Sequence, residues 1–182
     1  MIEVEEQPDD LGDIDFDLDE EADDTPRISA HALTGAVTEG YETMRVTVFV
    51  GKRHLHILID SGSTHNFLDT NVAKKLGCKI TQVKPMKVDV ANGNSLACVA
   101  ACKNLPWTLQ GSVFVTDVLL LPLGSCDMVL GVQWLETLGD INWNFKELRM
   151  EFVVNGKKFM LRGGKMAKKF KTLVSYVALP GR

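Results

Sequence analysis

Three pairs of β-branched runs, each folded about a tight-turn signal, constrain this chain more than any other feature. Met44–Val50 (MRVTVFV) and Arg53–Ile59 (RHLHILI) flank Gly51-Lys52. Lys87–Ala91 and Ser95–Ala101 flank Asn92-Gly93, and Arg149–Val154 and Lys158–Leu161 flank Asn155-Gly156. Gly and Asn accept the positive φ that tight hairpin turns require, and strand alternation sends every second side chain to one face. Each pair therefore reads as an antiparallel hairpin. Ser112–Leu121 (SVFVTDVLLL) and Asp127–Leu130 read as two further, buried strands. Short strands at this spacing predict an all-β body, closed or sandwich-like. Two short helices interrupt it. One starts at Asp69 or Thr70 as cap, runs along Val72, Ala73 and Leu76, and stops at Gly77. The other follows Gly131 and ends near Leu138. His54 and His56 share one strand face and are expected to be exposed residues, not ligands.

Charge divides the chain into parts. Of 182 residues, 20 are Lys or Arg and 24 are Asp or Glu, a formal net of −4. Thirteen of those acids fall in residues 1–26, which carry no base, so the other 11 acids face all 20 bases, a net of +9. Like charge at that density cannot bury enough apolar surface to offset chain entropy. Residues 1–27 are expected to be a disordered acidic linker, 28–162 the folded domain, and 163–182 a basic tail.

Other classes drop out. No apolar run approaches the roughly 20 residues that span a bilayer. The acidic N-terminus is unlike a secretory signal, so a cytoplasmic, intracellular location is expected. Cys78, Cys98, Cys102 and Cys126 form no CxxC pair and are expected to be free thiols. The histidines lack metal-ligand spacing, so no metal and no cofactor are expected.

The chemistry points to Leu58-Ile59-Asp60-Ser61-Gly62-Ser63-Thr64. An apolar strand runs directly into an Asp, a small hydroxyl residue and a Gly. A carboxylate placed there sits at a rigid strand end. Ser61 and Ser63 are able to orient it by hydrogen bonds without bulk or charge, and Gly62 lets another backbone approach. Asp, Ser and Gly also favour plain turns, so the tripeptide is weak evidence in isolation. Context strengthens it: Met128-Val129-Leu130-Gly131 is a second apolar strand ending in Gly, and the Asn92-Gly93 hairpin between them is long enough to cover a cleft.

In this order, LIDSGSTHNFL, VANG and LLPLGSCDMVLGVQWLETLGDINWNF resemble the retropepsin-type aspartic proteases, most closely the protease segment of gypsy-type long-terminal-repeat retrotransposon polyproteins. The resemblance spans residues 28–162. It implies an acid-protease β-barrel with one lobe per chain, active as a homodimer on an extended peptide or polyprotein. Asp60 would be catalytic. Ser61 would brace the opposite loop across the dimer, Ser63 would steady the outer carboxylate oxygen, and Gly62 would offer its backbone to substrate. Asn92 and Gly93 match the flap tip, and Leu130-Gly131 the apolar element beneath the catalytic loop. Two carboxylates in one site cannot both ionise, so the pair would share a proton. Two departures stand out. Val132 occupies the place where many retroviral proteases carry Arg, and the flap has one glycine.

Two other functions stay open at this level. A catalytically silent, domesticated retrotransposon barrel would act as a protein-interaction module. The basic segment Arg162–Lys171 could contact nucleic-acid phosphates, although it lacks a zinc knuckle, a recognition helix and stacking aromatics. The retroviral-like domain of ubiquitin-shuttle proteins is a weaker parallel, since nothing here resembles a ubiquitin-like domain.

Overall fold

The computed structural model describes residues 24–34 and 43–164. In chain order these begin with β1 (Arg27–Ile28), α1 (Ala30–Thr34), β2 (Met44–Val50), β3 (Arg53–Ile59), β4 (Phe67–Asp69) and α2 (Thr70–Leu76). Then come β5 (Ile80–Val90), β6 (Ser95–Leu109), β7 (Ser112–Leu121), β8 (Met128–Leu130) and α3 (Val132–Leu135). A 3-10 turn (Glu136–Leu138), β9 (Ile141–Asn144), β10 (Arg149–Val154) and β11 (Lys157–Arg162) complete the order.

Six strands close into a ring in the order β6-β2-β3-β8-β4-β7, with β7 returning to β6. The β-body is thus a closed barrel, as the sequence predicts. β2 and β3 pair antiparallel along their whole length, from Met44↔Ile59 to Val50↔Arg53. β8 lies parallel to β3, with Ile57↔Met128 and Ile59↔Leu130 in register. β5 stands outside the ring, paired with the first half of β6, so that the β5–β6 hairpin projects beyond the barrel. β1 lies parallel on the outer edge of β5. β9, β10 and β11 form a separate antiparallel sheet.

Alternation along β3 divides the core. Leu55, Ile57 and Ile59 face the barrel interior with Trp107, Trp134, Met150, Phe152 and Phe159. Trp107 packs on Phe114 at 4.8 Å and on Trp134 at 5.6 Å between ring centroids, and Phe152 stacks on Phe159 at 5.1 Å. Leu58 faces the other way, into a second cluster with Ile28, Phe67, Val88, Val90 and Val129. Burial on both faces explains why β3 reads as a continuous apolar run toward its end.

The outer hairpins and the Asp69-capped helix follow the sequence reading. The Asp69 carboxylate accepts from the Asn71 and Val72 amides, and Gly77 ends α2 in the left-handed region. His54 and His56 are exposed. Other elements differ. There is a third short helix, α1, and the helix after Gly131 is one turn of α-helix followed by the 3-10 turn. β7 is not buried throughout: Val113 and Val115 are 68% and 57% exposed. β6 runs eight residues beyond Ala101, through a bulge at Cys102–Leu105 where Asn104 takes φ 52°. The expected acidic linker is described only at residues 24–27, where Arg27 already belongs to β1. Most of the expected basic tail, residues 165–182, lies outside the described residues. Among the described residues no helix is long and apolar enough to cross a membrane.

Candidate active site

Asp60 begins where β3 ends. Its amide donates to the Leu130 carbonyl at 3.0 Å, which carries the β3–β8 ladder one step further and fixes the backbone under the carboxylate. The chain then turns back, with the Ser63 amide donating to the Asp60 carbonyl at 3.2 Å. Three donors meet the carboxylate, two of them from that turn. The Gly62 amide donates to Oδ1 at 3.0 Å. The Ser63 hydroxyl donates to Oδ2 at 2.7 Å, and the Ser29 hydroxyl donates to the same oxygen at 2.5 Å. Hydrogen bonds of this kind set the orientation of the carboxylate.

A second layer holds the loop from below. Ser63 and Asn66 are buried, at 0% and 2% exposure. The Ser63 carbonyl accepts from the Val132 amide at 2.8 Å and the Thr64 carbonyl from the Gln133 amide at 2.9 Å. Asn66 Oδ1 accepts from the Gly131 amide at 3.1 Å, while its Nδ2 donates to the Asp117 carbonyl at 3.3 Å. Gly131 is required by proximity: a Cβ there would lie 2.3 Å from the His65 carbonyl oxygen and 2.5 Å from that of Ser63. Gly62 is nearly as confined, since a Cβ would sit 3.1 Å from Asp60 Oδ1.

The structure brings Asp60, Gly62, Ser63, Leu130 and Gly131 into one unit. Ser61 is exposed at the tip of the loop. Asn92 and Gly93 lie at the tip of the β5–β6 hairpin, with Gly93 at φ 87° and the Asn92 side-chain oxygen accepting from the Asn94 amide at 3.0 Å. The other acids considered lie apart from this unit. Asp127 is bound to the His56 amide at 2.7 Å, four residues back along the chain from Asp60, and Asp140 is exposed beyond the 3-10 turn.

The nearby thiols and imidazole do not suggest other chemistry. Burial pushes the Cys126 and Cys102 thiols up to about 11, so neither is a thiolate near neutrality. Burial also holds His65 below its ordinary value, against the opposing pull of the Asp24 carboxylate. All four cysteines are free. Among the described residues no cluster of His, Cys, Asp or Glu could hold a metal ion. A cavity of about 270 Å³, lined by Asn66, Thr116, Asp117 and Trp134 among others, lies beside the loop but does not include Asp60. Open space is thus not what marks the site; donor geometry is.

Sequence reasoning missed Ser29 and Asn66. For Ser29 the available signal was a hydroxyl residue ahead of Ala30–Thr34, the pattern of a helix cap. Its amide donates to the Ser63 hydroxyl at 3.1 Å, so it meets the loop twice.

The family model described as retroviral aspartyl protease matches residues 27–150. The chain belongs to the retroviral aspartyl protease family. The match includes the Asp60 loop, the β5–β6 hairpin and Leu130-Gly131 of this retropepsin-like domain. No curated protein matches the chain. Among solved structures, the retroviral protease-like domain of Ddi1 from Leishmania major is 10% identical, at TM-score 0.49 over 69% of this chain and 96% of that one. The EIAV protease in complex with the inhibitor HBY-793 is 16% identical, at TM-score 0.42 over 56% and 92%. A retropepsin-like aspartic protease from Rickettsia conorii is 17% identical, at TM-score 0.41 over 64% and 82%. Family membership rests on the family model.

Proposed function

We propose that this domain is an aspartic endopeptidase, active as a homodimer in which each protomer supplies one Asp60. The observation that carries the reading is the carboxylate at a strand end, with Gly62 N–H on one oxygen and Ser63 O–H on the other. Each chain has one such loop, and peptide hydrolysis of this type needs two carboxylates. A twofold axis beside Asp60 would bring the second.

In that dimer one carboxylate takes a proton from water as the oxygen adds to the scissile carbonyl carbon. The other, protonated, gives its proton to the carbonyl oxygen. The resulting gem-diol then collapses: the C–N bond breaks, the amine leaves with a proton, and an acid and an amine are released. Ser63 and Gly62 hold Asp60 in place, and the exposed Ser61 would reach the partner loop. The β5–β6 hairpin, with Asn92 and Gly93 at its tip, would cover an extended peptide held by strand-like main-chain bonds. Processing of a gypsy-type retrotransposon polyprotein is the biological setting we propose.

Replacing Asp60→Asn keeps the shape and removes the base. Hydrolysis of a peptide library should fall at least about a hundredfold. In the parent, specific activity should drop on dilution below the dimer dissociation constant. Equal cleavage by Asp60→Asn and parent would sink the proposal. Activity that is independent of dilution would remove the shared site.

A further inference from the structure

The strand beside Asp60 is held in the way a bound peptide is held, and it is the chain's own. β1 lies between the Asp60 loop on one side and the flap strand β5 on the other. Toward the loop, the Arg27 amide donates to Thr64 Oγ1 at 2.8 Å, and the Thr64 amide donates to the Arg27 carbonyl at 3.0 Å. Toward the flap, the Asp89 amide donates to the Pro26 carbonyl at 2.9 Å, and the Ala91 amide to the Ile28 carbonyl at 3.2 Å. The Ile28 side chain is 1% exposed, enclosed with Val88, Val90, Leu58, Phe67 and Val129. One residue further on, the Ser29 hydroxyl reaches Asp60 Oδ2. Main-chain bonds to both walls, a side chain in an apolar pocket and a hydroxyl on the reactive carboxylate are how an extended peptide is held by strand addition.

The segment is held as an occupant and not presented for cleavage. Immediately after Ser29 the chain enters α1, and the Ser29 hydroxyl oxygen accepts from the Ala32 amide at 3.1 Å as a helix cap. The helix is then clamped. The Ser125 hydroxyl donates to the Ala32 carbonyl at 2.7 Å, and the Gly124 amide to the Leu33 carbonyl at 3.1 Å. Gly124 has no room for a side chain, since a Cβ would lie 2.6 Å from the Leu33 oxygen. The peptide bond following Ser29 therefore leads out of the groove instead of running extended through it.

Resting on the protease reading above, we infer that residues 26–34 are a built-in plug. They fill the substrate groove and cap Asp60, and an outside peptide gains the site only by displacing them. The plug uses the Thr64 and Ala91 amides and a lone pair of Asp60 Oδ2, the same groups a bound substrate and its water would need. Apparent affinity for an outside ligand is reduced by the fraction of molecules in which the plug is seated.

The test uses the full chain, a statine-type peptide inhibitor as probe, and hydrogen exchange as a readout independent of turnover. In the parent, saturating inhibitor should speed amide exchange across residues 26–34 while protecting the flap. Ser29→Ala removes the hydroxyl bond without disturbing packing, and should bind the inhibitor roughly tenfold more tightly. Ile28→Asp, checked for folding by circular dichroism, should bind more tightly still and cleave peptides faster, in an Asp60-dependent way. Continued protection of residues 26–34 with inhibitor bound would overturn the plug. So would weaker binding by Ser29→Ala than by the parent. If the parent cleaves peptides through Asp60 under either result, the protease reading survives and only the plug is lost. If parent and variants neither bind nor cleave, the protease reading fails first and takes the plug with it.

Discussion

The Asp60 loop and the tip of the β5–β6 hairpin meet β1 from opposite sides, and they are built in opposite ways. The loop is anchored by other elements: Leu130, Val132 and Gln133 meet it through the backbone, the Asn66 side chain holds the Gly131 amide beneath it, and Ser63 is fully buried. Residues 91–94 at the flap tip are all exposed. Apart from the Ala91 amide, which donates to the Ile28 carbonyl, the bonds of the tip turn are local, Gly93 N–H to Val90 O at 2.9 Å, Val90 N–H to Asn94 O at 2.8 Å, and Asn94 N–H to the Asn92 side chain. A floor that must aim a carboxylate gains from burial, where each polar group is matched and loss of one partner is costly. A hairpin tip with few outside attachments belongs to the part of a structure that opens most readily.

Substitutions should reveal that contrast. Gly131→Ala tests the floor most severely, because backbone oxygens at 2.3 and 2.5 Å cannot move aside as a side chain would. It should lower unfolding free energy by about 3 kcal/mol, read from the urea midpoint. A loss below about 1 kcal/mol would mean the floor is pliable. Asn66→Ala leaves the Gly131 amide without its acceptor in a buried setting, and should cost about 2 kcal/mol by the same measurement. At the hairpin tip, Gly93 has φ 87° and a Cβ there would meet nothing within 4 Å, so Gly93→Ala faces only backbone strain. Thermal melting should show a loss of about 1 kcal/mol, and peptide assays a rise in KM. A larger loss than that of Asn66→Ala would reverse the contrast.

The smallest effect lies away from both. The Lys103 ammonium and the Asn104 amide hold the Asp117 carboxyl below its usual range, across the β6 bulge. The side chains of this pair are 58% and 40% exposed, so solvent limits its worth to about 0.5 kcal/mol. Because the folded value is depressed, the stabilisation is present above the unfolded carboxylate value of about 3.9 and is lost as pH falls through the folded one. The gap between parent and Asp117→Asn in chemical denaturation should be full at neutral pH and should close in acid.

Legibility in the sequence followed element length and the range of the interactions. β2, β3 and β10 were readable to the residue because alternation and Gly or Asn turns act locally. α2 was readable from Asp69 and Gly77 for the same reason. β1 was not, since two residues carry no period and its strand character comes from β5 and Thr64. α1 has five residues, too few for a helical stripe to show. The far half of β6 was hidden by Pro106, which usually argues against a strand, and by the bulge at Asn104. At the site, Asp60, Gly62, Ser63 and Gly131 could be named because they lie in short motifs. Ser29 and Asn66 act across 31 and 65 positions of sequence, and only the fold brings them to Asp60 and Gly131.

The ring itself is unevenly fastened. β2 and β6 meet through a single register pair, Phe49↔Thr108, while β2 and β3 are laced along their whole length. Mechanically the barrel is a hoop with a small clasp. The strand that bears the clasp, β6, also serves as one arm of the flap, and the bulge between Cys102 and Leu105 divides its two duties like an elbow. On the hairpin side of that elbow Ala101 and Cys102 still pair with Leu119 and Val118 of β7, so the base of the hairpin is tied to the ring. The hoop and the projecting hairpin are therefore cut from one strand, and the seam with β7 joins them on both sides of the elbow.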